Sequence, residues 1–187
     1  MMSGNVLTVK NKEEFRSWLA QNAATATECW VELKRGRPKE DGRFWYLDAV
    51  EQALCFGWID STLGMVNGVR VQRFTPRAKN TNWTELNKQR VRRLEQLGLM
   101  TDAGRAVFPD MHFTPNPEVV ADICSAGVWQ QFSAFPPLYQ RVRLYNLAFT
   151  KKRSETEYKK ALSHLISQTA MGKLYGEWND YGRLPED

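Results

Sequence analysis

The 187-residue chain has little of what covalent or metal chemistry needs. Its three cysteines, Cys29, Cys55 and Cys124, are odd in number and share no CxxC spacing. That pattern argues against a disulfide framework or a zinc site and reads as small buried hydrophobes. Only two histidines, His112 and His164, are present, with no HExxH or His-Asp-Ser pattern around either. No metal site and no hydrolytic triad is therefore expected. There is no run of about 18 apolar residues, so membrane insertion is not expected. The opening MMSGNVLTVKNKEEF lacks the apolar core of a secretory leader, and a cytoplasmic location is the expectation. No repeat, low-complexity segment, RNP, KH or Walker motif occurs, and no cofactor is called for.

What is present is the composition of a folded domain: 42% hydrophobic residues and seven Trp. A chain of this length buries about 70% of its unfolded surface without staples. Phe15, Trp18 and Leu19 recur at helical spacing behind Asn11, a helix cap. CWVELKR alternates as a half-buried strand, and GRPKEDGR is a polar loop. Tyr46 to Gly57 reads as an amphipathic helix stopped by Gly57, with Glu51 at the edge of its apolar arc. Two strand-like runs flank Asn67-Gly68, a two-residue turn of the primed type. Asn82 with Glu85 reads as a capping box for a helix to about Leu97, and a short helix follows from Thr101. Residues 109–117, with three prolines, read as a linker or a surface loop. The rest is helical, broken at Pro136-Pro137 and capped again at Ser154 with Glu157. The expected fold is α+β, a small antiparallel sheet with a 59–75 hairpin packed by helices. Residues 1–108 make the core, and 118–187 form a helical C-terminal region.

The net charge of +5 is unevenly placed. Arg70, Arg73, Arg77, Lys79, Lys88, Arg90, Arg92 and Arg93 stand against Glu85 alone. With the turn at 67–68, an unbroken register pairs Thr62 with Arg73 and Asp60 with Thr75, making Asp60 and Arg73 diagonal neighbours on one face. In the next helix Asn87 and Arg90 fall inside the apolar stripe of Trp83, Leu86, Val91, Leu94 and Leu97, whereas Lys88, Gln89, Arg92 and Arg93 lie on its flanks or opposite. An arginine on a buried face needs a carboxylate, since removing one partner of such a pair costs about 3–5 kcal/mol. Asp60 and Glu51 are the acids near core faces. The expectation is a polar cluster of Asp60, Arg73, Asn87 and Arg90, with Glu51, framed by Trp58 and Trp83.

The segments YLDAVEQALCFGWID and QRFTPRAKNTNWTELNKQRVRRLEQLGLMTDAG, over roughly residues 44–104, and more loosely KKRSETEYKKAL, resemble the YdeI/OmpD-associated family of bacterial proteins. The resemblance implies stress functions such as bacteriocin protection and antimicrobial-peptide resistance, and association with an outer-membrane porin. It carries over onto Glu51, Gly57, Trp58, Asp60, Arg73, Thr75, Pro76, Arg77, Trp83, Asn87 and Arg90. No settled catalytic activity comes with it, and whether the protein is an enzyme stays open.

Four readings follow. The cluster is a structural network, or a pocket in which Arg73 and Arg90 bind a small anionic ligand. A pocket of about 300 Å³ or more beside the cluster is what the ligand reading requires. Alternatively, the basic 70–93 segment with Phe74 and Trp83 contacts nucleic acid. The last reading is a protein-interaction module, whose aromatic tail (Tyr175, Trp178, Tyr181) docks on its own domain or on a protein partner.

Overall fold

Side chains that accept from the first free backbone N–H groups set most helix starts. In the computed structural model, which describes residues 6–78, 81–109 and 112–184, Asn11 accepts from Glu14 N at 2.8 Å and opens α1 (Lys12–Asn22). Thr84 accepts from Asn87 N at 3.1 Å at the start of α3 (Glu85–Gln96). The expected cap, Asn82, lies two residues before the one that makes that bond. Thr101 caps α4 (Asp102–Val107), Asn116 caps α5 (Pro117–Ser125), and Ser154 caps α8 (Glu155–Ala170). Asn67 and Gly68 both have positive φ, 49° and 78°, so the hairpin turn is of the primed type.

The chain divides into two compact units. The first, Met1–Asn82 with Arg90–Pro109, holds β1 (Val6–Leu7), α1, β2 (Cys29–Glu32), α2 (Tyr46–Cys55), β3 (Trp58–Val66), β4 (Val69–Pro76), the end of α3, and α4. Its sheet runs β1-β2-β4-β3. The β2/β4 and β4/β3 pairs are antiparallel as expected, but β1 pairs parallel with β2, so the sheet is mixed. Its core is aromatic: Phe15 of α1 lies 5.4 Å from Phe74 of β4, and Trp18 meets Trp58 edge-on at 5.9 Å.

Cys29 and Cys55 are buried in this unit, whereas Cys124 is exposed in the second. Burial, helped by the Glu28 charge, pushes the Cys29 thiol up to about 12. Thiolate is the reactive form. In the native protein at pH 8, Ellman's reagent is therefore expected to label Cys124 alone, and all three thiols after denaturation. Rapid native labelling of Cys29 would contradict its place in the core.

The second unit, Trp83–Gln89 with Asp110–Asp187, contains the start of α3, α5, α6 (Trp129–Ser133), α7 (Pro137–Arg153) and α8. Its core gathers Val119, Ile123, Phe132, Leu138, Tyr139 and Leu165, all fully buried. At its rim the Tyr158 hydroxyl donates to Asp122 at 2.5 Å, and Lys151 pairs with Glu118 and Asp122 at 3.0 and 3.4 Å. These contacts tie α5, α7 and α8 together. The aromatic tail docks here too, burying Trp178 and Leu184 in the same core. No helix among the described residues is long and apolar enough to cross a membrane.

Candidate functional site

Ladder pairing between β3 and β4 keeps the expected register only as far as Leu63↔Gln72. A bulge at Ser61-Thr62 then shifts it, so Asp60 faces Phe74 and Ile59 faces Thr75. Directly paired residues share a face, and a one-residue shift exchanges faces. Asp60 therefore lies on the Phe74 side, beneath the helices, and Arg73 on the other. The expected diagonal Asp60–Arg73 pair is not formed.

On its own face Arg73 has a different acid. Its Nε and Nη2 donate to Glu28 Oε2 at 2.7 and 2.5 Å, and Trp30 Nε1 donates to the other carboxylate oxygen at 3.1 Å. The Trp30 bond, and then Arg73, hold the Glu28 carboxyl below its ordinary range. Trp30 lies over Gly64, where a Cβ would come within 2.7 Å of the indole. Only glycine lets the ring close against β3.

The helix-covered face carries the more unusual arrangement. Tyr46, the first residue of α2, donates its hydroxyl to Asp60 Oδ2 at 2.6 Å. Arg35, just beyond β2, lies over the Tyr46 ring at 3.8 Å and donates through Nη2 to the buried Gln72 Oε1 at 2.5 Å. The Arg90 guanidinium is close enough for its charge to act on the Tyr46 phenol. Burial first, and then the Asp60 charge, raise the Tyr46 phenol far above its ordinary value, and both arginines oppose this. Tyr46 is thus a neutral donor at any physiological pH.

The other expected site residues are distributed differently. Glu51 is buried on α2 and accepts from Arg93 Nη1 at 3.0 Å, so its partner is an arginine expected on the polar flank. Trp58 is 1% exposed and donates its Nε1 to Ala23 O, which makes it core rather than pocket wall. Arg77 is buried and braces the loop after β4, donating to Thr81 Oγ1 at 3.0 Å and Asn82 O at 3.1 Å. Trp83 and Asn87 are both buried and belong to the second unit. There Lys88, expected on the surface, is buried and paired with Glu85 at 2.7 Å, and Gln89 accepts from Arg141. Lys79 lies outside the described residues.

Sequence reasoning passed over Arg35 and Gln72, and took Tyr46 only for an apolar position. The signal that could have found them is alternation. Arg70, Gln72 and Phe74 share one side of β4, so a buried glutamine sits where the core pattern asks for an apolar residue. Among the described residues there is no group of three or more His, Cys, Asp or Glu able to hold a metal. A cavity of about 260 Å³ in the first unit is walled by residues of the β1 and β2 ends and the following loop, none of them an expected site residue.

Fold and site together define an α+β domain whose sheet carries a tyrosine–aspartate hydrogen bond with an arginine over the tyrosine ring. The chain belongs to the family described as Domain of unknown function (DUF8412), whose model matches residues 7–107. No curated protein and no solved structure matches it.

The family match overturns the expected resemblance to YdeI/OmpD-associated proteins, and the bacteriocin and porin expectations fall with it. Several residues of the quoted segments are architectural. Gly57 has φ +74° and ends α2, Trp58 is core, Arg77 braces a loop, and Thr84 caps a helix. Such requirements can be met alike by unrelated chains, so short shared segments of this type are weak evidence of kinship.

Proposed function

We propose that the first unit binds a small anionic ligand, with Arg35 as its receptor and Tyr46, Asp60 and Arg90 around it. The observation that carries this reading is the state of Arg35. Its guanidinium is held by an aromatic face and a neutral amide oxygen, with no carboxylate partner among the described residues. A guanidinium fixed in place but not neutralised is prepared to meet a carboxylate or phosphate, bidentate where geometry allows. Gln72 sets its position, and Asp60 fixes the Tyr46 ring beneath it.

The basic 70–93 segment does not favour nucleic acid over this. Arg73, Lys88 and Arg93 are consumed in ion pairs and Arg77 in a loop.

The test is a thermal-shift screen of small carboxylates, phosphates and nucleotides, with short oligonucleotides alongside, at two salt concentrations. A ligand at ~100 times its dissociation constant adds about 2.7 kcal/mol of stability. The expected result is a salt-tolerant rise from one class of small anion, abolished in Arg35→Met. A rise that survives Arg35→Met, or silence across the panel, rejects the reading. A rise only with oligonucleotides, erased by salt, transfers the function to nucleic acid.

A further inference from the structure

A second cationic feature lies where the parallel pair of strands comes apart. The β1/β2 ladder ends at Leu7↔Val31. Beyond it one chain turns through Val9 and Lys10 into α1. The other continues through Leu33 to Lys34, whose backbone N–H and C=O are taken by Phe44 O and Tyr46 N at 2.9 and 2.8 Å. The two segments continue from the carboxyl ends of adjacent parallel strands, and residues of both line a crevice. The crevice here has a volume of about 260 Å³ and is lined by Val9, Lys10, Glu32, Leu33, Lys34 and Phe44, with Arg43 beside them.

Its charges are uncompensated. No ion pair or side-chain hydrogen bond joins the Lys10 or Lys34 ammonium to another described residue, and the same is true of the Glu32 carboxylate. Arg43 is the exception, meeting Asp41 at 3.5 Å. Val9, Leu33 and Phe44 supply apolar wall between these charges.

We infer that this crevice is a second binding site, separate from the Arg35 cluster, for a small organic anion with a compact apolar body. Lys10 and Lys34 grip the phosphate or carboxylate group as point charges. Phe44 and the aliphatic residues take the body, and Glu32 accepts from a hydroxyl or amino group on it. The volume, below the usual range for drug-sized ligands, limits the occupant to a molecule of about one ring.

Phenyl phosphate is the probe, titrated into the ¹⁵N-labelled full chain, with phenol as its uncharged counterpart. Amide shifts are expected at residues 9–10, 32–34 and 43–44. The affinity should fall at least tenfold in Lys10→Gln/Lys34→Gln and be unchanged in Arg35→Met. Both lysines are exposed, and an unchanged spectrum of the free variant verifies its fold. Three results overturn the inference: no shifts in the crevice at millimolar probe, equal shifts from phenol, or an affinity indifferent to the double substitution. Shifts at residues 35, 46, 60 and 72 instead would place the anion at the Arg35 cluster, sinking the crevice while supporting the proposed function.

Discussion

Removing residues 174–187 is expected to unfold the second unit or leave it without fixed packing. The tail supplies Trp178, 7% exposed, and Leu184, 2% exposed, to that unit's core. Tyr139 meets both Tyr175 and Trp178 edge-on, at 6.1 and 5.6 Å. Arg143 lies between the rings of Tyr139 and Tyr175, at 4.9 and 4.0 Å, and donates to Tyr175 O. Truncating a buried Trp costs about 3–5 kcal/mol and a buried Leu about 2–5 kcal/mol. Together these approach the whole stability of an ordinary domain, about 5–15 kcal/mol. Arg143 would also lose the carbonyl and ring that hold it.

The measurement is urea unfolding followed by near-ultraviolet circular dichroism, with Trp178→Ala as the milder variant. The full truncation should lose its near-ultraviolet signal, and Trp178→Ala should lower stability by about 3–5 kcal/mol. An unchanged unfolding midpoint in both would mean that the tail is dispensable and available to a partner. The tail's own geometry argues against that. Asn179 closes the 3-10 turn Asp180–Gly182 by accepting from Gly182 N at 3.0 Å, and Asp180 and Tyr181 hold positive φ values of 52° and 59°. Non-glycine residues rarely keep that conformation without surrounding structure to impose it.

Gly104→Ala is expected to destabilise the first unit, reversing the usual sign for this substitution. Inside a helix, alanine is normally better than glycine by about 0.8–1 kcal/mol. In α4, however, a Cβ at Gly104 would collide with the Cys55 carbonyl oxygen, and would lie 2.8 Å from Cys55 C and 2.7 Å from Met100 Cε. Two of these three atoms are backbone and cannot swing away. The carbonyl is also fixed from the other side, accepting from Thr101 N at 3.1 Å and Thr101 Oγ1 at 2.6 Å. This contact seats the start of α4 on the end of α2. Forcing atoms into a packed contact costs about 1–3 kcal/mol, and a fixed backbone neighbour puts this case at the upper end. Urea unfolding read by tryptophan fluorescence gives the answer. A gain in stability would mean that the α2–α4 approach is looser than described.

The same local detail separates what could be read in advance from what could not. Helix caps at Asn11 and Ser154, the stop at Gly57 and the Asn67-Gly68 turn are decided within four residues of chain. Each is visible as a residue type at a fixed offset, and each is found where it was expected. The helical C-terminal region and the α+β class follow from the change of hydrophobic period, a property of segments of ten or so residues.

The site was harder because it depends on partners far apart in the chain. Asp60 and Arg90 were marked as polar residues on apolar faces. Nothing local, however, places a bulge at Ser61-Thr62, and that bulge sends Arg73 to Glu28 and leaves Asp60 to Tyr46. Periodicity put Arg93 on a solvent flank, yet Glu51, 42 residues away, draws it in. Arg35 and Gln72, 37 residues apart, meet only because β2 and β4 are neighbours in the sheet. By itself the sequence determined where this chain turns and where most of its helices start and stop, because those choices are paid for within one or two turns of backbone. Only the tertiary structure decided which charges meet, because strand order and one extra residue in β3 select the face on which every later side chain appears.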